Sequence, residues 1–407
     1  MKLPIKKLIT DKITGEWGNE SPDGKGCKVL RTTNFTNIGI IDFENVVVRD
    51  IDEKKVTQKH LKFGDIIIEK SGGSPKQPVG RVVFFEVDNN EKYLCNNFTS
   101  ILRPNSSKVI PKYLFYQLYQ LHNRGKTLKY QNKTTGIINL KLDNYLEEEI
   151  EVPSIETQLH IANILSKAES LIAQRKEGVR LLDEYLKSVF LEMFGDKEYR
   201  KEKLGTVTYI QSGQVNPNEN PYSEMYHVGG ANIESNTGKI FNLKKAKSEN
   251  LISGKYYFEE DFILYSKIRP YLNKVATPDF KGICSADIYP IKPNSDLLKK
   301  DYLRFVLMSE EFLTYTASQS DRTNIPKVNR KALDNFNISI PPIELQTKFA
   351  QIVEKAEALK AQYQQSLQEL ENLYGSLSQK AFKGELSIKD ESLLMAAEPD
   401  EKYKKLV

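Results

Sequence analysis

The sequence is poor in the residues that cross-link chains or bind metals. Its 407 residues include three cysteines, Cys27, Cys95 and Cys284, and four histidines. The cysteines are odd in number and widely spaced, so they offer neither a disulfide framework nor a CxxC metal site. The histidines show neither the His-x₃-His nor the HExxH spacing of a metal site. We therefore expect neither a disulfide-rich secreted domain nor a zinc-dependent protein.

Long hydrophobic runs are also missing. The sequence has no run of about 18 apolar residues, which is the length that a transmembrane helix requires. The segment 1–7 lacks the apolar core of a signal peptide. We therefore expect no membrane association and a cytoplasmic protein. With 39% hydrophobic and 10% aromatic residues, the chain is still apolar enough to form two or three domains with cores of their own.

The chain contains one sequence plan twice. Leu-Asp-Asn-Tyr at 142–145 returns as Leu-Asp-Asn-Phe at 333–336. Pro-Ser-Ile-Glu-Thr-Gln at 153–158 returns as Pro-Pro-Ile-Glu-Leu-Gln at 341–346, 188 residues later. This spacing is far longer than a solenoid repeat, which indicates a duplicated unit made of a domain and a connector.

The two connectors show the pattern of long helices. After each of the motifs at 153–158 and 341–346, the sequence has no Gly or Pro until Gly178 and Gly375. Only Arg175 and Lys360 interrupt an apolar seam with a seven-residue period, which is typical of a coiled coil. The alternative is two separate amphipathic helices, each packed on its own domain. The predicted pairing residues are Leu165, Ala168, Ile172, Val179, Leu182, Leu186, Val353, Ala356, Tyr363, Leu367, Leu370 and Tyr374.

These patterns predict an α/β (α+β) protein with two similar globular domains and two long helices. Because the first helix leads from one domain to the other, the economical pairing is antiparallel, with an approximate two-fold axis. The predicted boundaries are 1–152 for the first domain, 153–195 for the first helix, 196–340 for the second domain, 341–386 for the second helix and 387–407 for a C-terminal tail.

The positive charge lies in the predicted globular domains. The net charge of the whole chain is +5, whereas residues 1–153 carry +5 and residues 197–342 carry +4. The helices and the tail are slightly acidic. Residues 112–141 contain six Lys or Arg residues and no acidic residue. This distribution favours an anionic partner for the domains, such as nucleic acid.

Two polar loops in each domain are candidate DNA contacts. Lys and Arg would neutralise phosphates, and Arg, Asn and Gln would read base edges. Any of these loops could instead be an ordinary solvated turn, and the aromatic residues of 113–121 fit a helix packed in the core. The candidates in the first domain are Ser71, Gly72, Gly73, Lys76, Gln77, Arg81, Lys129, Tyr130, Gln131, Asn132 and Lys133. Those in the second are Lys267, Arg269, Tyr271, Asn273, Lys274, Arg322, Asn324 and Lys327.

The sequence shows no complete catalytic motif. Asp65 with Glu69-Lys70 resembles a nuclease site but lacks the residue between Glu and Lys, and the second copy has Ser266 where an acid is needed. Asn-Pro-Tyr at 220–222 lacks the second proline of the amino-methyltransferase motif. We therefore predict a chain that is not an enzyme and that binds no cofactor or metal itself.

The chain resembles the specificity subunit of type I restriction–modification enzymes over nearly all of residues 1–386. The resemblance lies in the Leu-Asp-Asn-Tyr/Phe and Pro-x-Ile-Glu-x-Gln motifs, in Ser-Lys-Ile-Arg-Pro-Tyr-Leu-Asn-Lys at 266–274 and in Ala-Phe-Lys-Gly-Glu-Leu at 381–386. The chain departs from the family in having Pro153-Ser154 for Pro-Pro, and Thr-Gln and Leu-Gln for Glu-Gln. These departures leave the architecture untouched.

The resemblance implies a function and a set of partners. Each globular domain would recognise one half of a bipartite double-stranded DNA target, and the helices would set the spacer and bind two modification subunits. Those subunits would be adenine methyltransferases that use S-adenosylmethionine, and restriction subunits with ATP-dependent translocase and nuclease activity would join them. The alternative is a non-catalytic coiled-coil adaptor that makes no DNA contact.

Overall fold

The computed structural model describes residues 1–89, 91–134, 137–319 and 326–386, without the side chains of residues 133 and 134. Contacts divide the chain into two units. The first unit comprises Met1–Ala173 and the chain from Gln368, and the second comprises Gln174–Leu367. Each unit therefore contains one globular domain and a half of each long helix. No helix in the described ranges is long and apolar enough to cross a membrane.

The first unit is built mostly from short strands. Its strands are β1 (Lys2–Pro4), β2 (Ile9–Thr14), β3 (Asn19–Glu20), β4 (Cys27–Leu30), β5 (Val47–Asp50), β6 (Ile66–Glu69), β7 (Ser71–Gly73), β8 (Val82–Phe84), β9 (Tyr93–Cys95), β10 (Thr99–Pro104), β11 (Gln131–Thr134), β12 (Ile137–Leu140) and β13 (Glu149–Glu151). Its helices are α1 (Glu53–Lys59), α2 (Pro111–Asn123), α3 (Leu142–Tyr145), the first half of α4 (Ile155–Phe194) and the second half of α9 (Ile343–Lys383).

The second unit follows the same order with fewer strands. Its strands are β14 (Arg200–Lys203), β15 (Thr208–Ile210), β16 (Tyr226–Val228), β17 (Lys244–Lys245), β18 (Tyr256–Phe258), β19 (Ile263–Ser266), β20 (Val275–Ala276), β21 (Gly282–Cys284), β22 (Ile288–Pro293) and β23 (Asn337–Ile340). Its helices are the second half of α4, α5 (Leu204–Val207), α6 (Lys300–Met308), α7 (Glu310–Ser318), α8 (Arg330–Asp334) and the first half of α9.

Two sheets correspond strand by strand between the two units, and a third corresponds in three of its four strands. The four-stranded antiparallel sheet β2-β10-β6-β8 matches β15-β22-β19-β20, and the pair β1-β13 matches β14-β23. The second four-stranded sheets, β3-β5-β4-β9 and β17-β16-β21-β18, share three strands, because β5-β4-β9 matches β17-β16-β21. In each of these the last pair is parallel, β4 with β9 and β16 with β21, while β3 and β18 extend the two sheets at opposite edges. The predicted duplication of an α/β domain is therefore confirmed.

The repeated glutamine of the Pro-x-Ile-Glu-x-Gln motif joins each long helix to its domain. The side-chain oxygen of Gln158 accepts a hydrogen bond from the backbone N–H of Ile110, the residue before α2, at 2.8 Å. The side-chain oxygen of Gln346 accepts one from Lys299, the residue before α6, at 2.9 Å. Both glutamines are buried, so each one provides a hydrogen-bond acceptor for a backbone N–H at a helix start that water does not reach. The duplicated motif is thus a duplicated helix junction.

The two long helices pack against each other within each unit. In the first unit Leu165 and Ala168 of α4 share a buried cluster with Leu370 and Leu377 of α9. In the second, Leu186 of α4 lies in one cluster with residues near the start of α9. The start of one helix therefore packs near the end of the other, which confirms the predicted antiparallel pairing and excludes two separate helices. None of the twelve predicted pairing residues is exposed, and six are buried.

The two charged residues that interrupt the predicted seam both have partners on the other helix. The Lys360 ammonium contacts the Asp183 carboxylate at 2.5 Å, and only 9% of the Lys360 side chain is exposed. The Arg175 guanidinium stacks over the Tyr363 ring, 4.5 Å from its centroid. An ion pair and a cation–π contact therefore replace apolar packing at these positions, which the spacing alone did not predict.

Candidate nucleic-acid interface

In the first unit, the two predicted DNA segments form one surface. Strand β7 starts the segment 71–81 and pairs with β12, which in turn pairs with β11 in the segment 129–135. The Ser71 hydroxyl donates a hydrogen bond to the Asn139 side-chain oxygen at 2.5 Å. The Gln131 amide donates to the backbone oxygen of Val79 at 3.0 Å. Ser71 and Asn139 are 68 positions apart in the sequence, and Val79 and Gln131 are 52 positions apart. Tertiary contacts therefore bring the two segments together.

The loop after β7 presents polar groups at its tip. Ser74 and Gln77 exchange backbone hydrogen bonds of 2.9 and 3.0 Å, which fixes the tight turn that carries Lys76. Gly72 is exposed and has a φ of 96°, a conformation that favours glycine. A Cβ on Gly73 would lie 2.9 Å from the backbone nitrogen of Val79, so no larger residue fits there. Lys76 and Gln77 are consequently held out into solvent.

Two of the predicted cations in this unit are already paired with acids. Arg81 forms a two-pronged ion pair with Glu69, at 2.8 and 3.1 Å, and only 11% of its side chain is exposed. The Lys129 ammonium lies 2.7 Å from the Glu148 carboxylate. Burial opposes ionisation of Glu148, but hydrogen bonds from Lys129 and Tyr130 outweigh it and lower the Glu148 pKa. Arg81 therefore acts as a structural cross-link.

Asn132 is an exposed candidate on the hairpin formed by β11 and β12. Asn132 lies in β11 and faces solvent, where its amide is available to a base edge or a phosphate. The side chain of Lys133 lies outside what the structure describes. Among the predicted residues of the first unit, Lys76, Gln77 and Asn132 are thus exposed, Lys129 is exposed but paired with Glu148, and Ser71 is half-buried.

An open cleft of about 510 Å³ borders this surface. Lys76 and Gln77 line one wall, and Tyr119, His122 and Asn123 of α2 line the other. Burial and the nearby Arg81 charge lower the His122 pKa, so this ring is neutral at physiological pH and can donate and accept hydrogen bonds. The aromatic start of α2 lies in the core as predicted, whereas its polar end was not among the predicted contact residues, although the sequence Tyr-Gln-Leu-His-Asn at 119–123 indicates it.

In the second unit, the two predicted segments also meet. Ile268 forms a β-bridge with Lys327, and the Arg269 backbone N–H donates to the Pro326 oxygen at 2.8 Å. The Val328 N–H donates to the Lys267 oxygen at 2.9 Å. The run 267–274 follows β19 just as the loop 71–81 follows β6, so the equivalent edge of each domain carries the candidate surface. Arg322 and Asn324 lie outside the described residues.

Three predicted residues of the second unit are exposed, namely Arg269, Tyr271 and Lys327. Arg269 has a φ of 50°, which is unusual for a residue with a side chain. The hydrogen bond from its N–H to the Pro326 oxygen holds the backbone in this conformation, so tertiary contacts, and not the intrinsic backbone preference of arginine, set the direction of the side chain. Strain of this kind clusters at functional sites.

The other three predicted residues of the run are held by the protein itself. Asn273 is buried, and its amide donates to the backbone oxygen of Met308 at 3.1 Å, so it stabilises the loop. The Lys274 ammonium donates to the Gly230 oxygen at 2.5 Å, and the Lys267 ammonium donates to the Ala286 oxygen. Both lysines thus donate to neutral carbonyl groups and not to a carboxylate.

The carboxylates that resembled a nuclease site have structural partners. Asp65 is paired with Arg103 through two hydrogen bonds of 2.8 and 2.9 Å, and Glu69 is paired with Arg81. The described residues contain no group of three side chains suited to hold a metal ion. The three cysteines are buried and free.

Comparison with known proteins agrees with this geometry. A sequence profile of the type I restriction modification DNA specificity domain matches residues 20–180 and 196–372. The EcoDI specificity subunit of Escherichia coli is 34% identical over 170 residues, which is 41% of this chain and 38% of that subunit. The putative MjaX specificity subunit of Methanocaldococcus jannaschii is 22% identical over 369 residues, 85% of this chain and 84% of that subunit.

A solved structure shares the fold of the whole chain. The crystal structure of the type I restriction–modification S subunit from M. genitalium superposes with a TM-score of 0.54 at 18% identity. The match covers 94% of this chain and 96% of the other. Because the specificity-domain profile covers most of the sequence, in two stretches that follow the duplication, the chain belongs to the family of type I restriction–modification DNA specificity subunits, whose role is DNA recognition and not catalysis.

Proposed function

We propose that each unit recognises one half of a bipartite DNA target. The observation that carries this proposal is the equivalent edge of the two domains, where the loop after β6 or β19 meets a second basic segment. Lys76, Gln77 and Asn132 would contact DNA from the first unit, and Arg269 and Lys327 from the second. Their mixture of cations and amides suits contacts to phosphates and to base edges in the major groove.

The helical pair would fix the distance between the two half-sites and bind the partner subunits. The proposed partners are two modification subunits, which are adenine methyltransferases with S-adenosylmethionine as their cofactor, and ATP-dependent restriction subunits. This chain would bind no cofactor of its own and would work in the cytoplasm, where DNA and its partners are found. The support for these partners is membership of the family together with the charge division, since the slightly acidic helices leave DNA contact to the domains.

The direct test is a salt titration of DNA binding by the 407-residue chain assembled with its modification subunit. About six phosphate contacts predict a slope of log affinity against log salt near −5. Binding that hardly changes with salt or with DNA sequence would contradict the proposal and would return the chain to the role of an adaptor without DNA contact.

A further inference from the structure

One lysine occupies the same place in both domains. Lys70 immediately follows β6 and Lys267 immediately follows β19, and these strands hold equivalent positions in the two corresponding four-stranded sheets. Each lysine therefore stands at the root of a candidate DNA loop. This correspondence is not evident from the sequence, because the residues on either side of the two lysines differ. They are Glu69 and Ser71 in the first domain and Ser266 and Ile268 in the second.

The backbone N–H and the backbone carbonyl of each lysine both form hydrogen bonds, and the pattern is the same in the two domains. The Lys70 N–H donates to the Phe98 oxygen at 2.9 Å, and the Lys70 oxygen accepts from the Leu140 N–H at 2.8 Å. The Lys267 N–H donates to the Asp287 oxygen at 3.0 Å, and its oxygen accepts from Val328 at 2.9 Å. Lys70 thus connects the start of the loop 71–81 to β12, the strand that pairs with β11, and Lys267 connects its run to the residue that follows Lys327. The backbone position of each lysine is therefore fixed before any ligand binds.

Neither lysine has an acidic partner within ion-pair distance among the residues that the structure describes. Lys70 is half-buried, and burial together with the charges of Lys12 and Lys59 lowers its pKa. Lys267 is 8% exposed and rests on the Ala286 carbonyl and over the Tyr289 ring, 4.8 Å from its centroid. Burial and Lys327 lower its pKa as well, although Asp287 acts in the opposite direction.

This arrangement contrasts with two partly buried arginines of the first domain. Arg81 and Arg103 are both neutralised by carboxylates, as is usual for buried cations. A partly desolvated ammonium without a carboxylate is costly in the free protein, and an anion that reaches it recovers that cost. A lysine ammonium is a compact point charge that suits a phosphate oxygen.

We propose that Lys70 and Lys267 are equivalent phosphate-contacting residues, one for each half-site, which fix the register of each domain on the DNA backbone. This inference rests on the proposed function. Because phosphate contacts position a protein without reading sequence, the two lysines can be common to domains that read different bases. The competing explanation is that both side chains merely fill space at the base of the loops.

The experiment removes each charge at nearly constant side-chain size. Lys70→Met and Lys267→Met are compared with Lys7→Met and Lys201→Met, which replace exposed lysines on or next to the strands β1 and β14. Binding of the 407-residue chain with its modification subunit to a mixed-sequence duplex is measured across a salt titration. We expect each test variant to lower the magnitude of the salt slope by about 0.9 and each control to leave it unchanged. Lys70→Arg should retain the wild-type slope.

The outcomes separate the two claims. If the wild-type chain shows a steep slope but both test variants keep it, the lysine inference is wrong and the proposed function stands. The lysine inference is equally wrong if the variants unfold at lower temperature with an unchanged slope, since that is the signature of space-filling side chains. A change in preferred sequence at constant slope would likewise overturn the inference, because it would make these lysines base readers. If the wild-type chain itself lacks salt-dependent binding, the proposed function fails.

Discussion

Replacing Gln346 by alanine is expected to destabilise the second unit strongly. The Gln346 side chain is fully buried and makes three hydrogen bonds: its oxygen accepts from the Lys299 N–H, and its nitrogen donates to the oxygens of Leu297 and Pro341, all at 2.9 Å. Alanine leaves one N–H and two carbonyl groups without these partners. A buried group that loses its partner costs about 1–3 kcal/mol, and carbonyls tolerate the loss better than N–H groups. We therefore expect a loss of about 3 kcal/mol.

The first unit offers a matched comparison. Gln158 makes two hydrogen bonds of this kind, from the Ile110 N–H and to the Pro153 oxygen, so Gln158→Ala should cost about 2 kcal/mol. Gln362→Ala, at an exposed position of α9, should stay within about 0.5 kcal/mol of wild type.

Urea unfolding followed by circular dichroism measures these differences, and hydrogen exchange of the first amides of α6 locates the effect of Gln346→Ala. If Gln346→Ala unfolds like Gln362→Ala, and the α6 amides keep their protection, the helix junction does not explain the repeated glutamine.

Three further predictions concern the seam, the surface and pH. Lys360→Met should cost about 2–3 kcal/mol because it strands the Asp183 carboxylate, and adding Asp183→Leu should recover most of that loss in a double-mutant unfolding cycle. Arg269→Ala with Lys327→Ala should lower the magnitude of the salt slope by about 2 without changing thermal stability, whereas a lower melting temperature with an unchanged slope would contradict this role. Burial raises the pKa of Glu169 despite hydrogen bonds from two tyrosines, so the wild-type protein loses stability as pH rises from the glutamate pKa of the unfolded chain to the raised pKa of the folded state. Glu169→Gln should therefore gain stability relative to wild type over that window, and pH-dependent melting that runs parallel in the two proteins would refute this.

Much of the architecture could be predicted from the sequence because the repeats report local structure. A seven-residue apolar period sustained over about four heptads demands a partner helix, and Leu165 and Leu370 lie in one buried cluster. Lys360 shows the limit of such reasoning. In the hydrophobic pattern Lys360 is only an interruption, because its ion-pair partner Asp183 is 177 positions away in the sequence.

The candidate surface could be predicted only in part. Composition located the basic polar loops, because cations without nearby acids in the sequence stand out. It could not distinguish Arg269, which is exposed, from Asn273, which holds the loop together, since both lie in the same short polar run. Composition also could not show that Arg81 is already ion-paired with Glu69, because that pairing depends on how two neighbouring strands pack. Which side chains remain available is decided by tertiary contacts.

Mapping the methylated adenines in the genome of a host that carries this chain and its modification partner tests the central claim most directly. The account predicts one bipartite methylated sequence, two short defined words separated by a fixed spacer. It also predicts that Gln77→Ala with Asn132→Ala, which removes two exposed amides of the first domain, relaxes one word only and leaves the spacer unchanged. A continuous target word, or a loss of selectivity spread equally over both words, would contradict the assignment of one half-site to each domain.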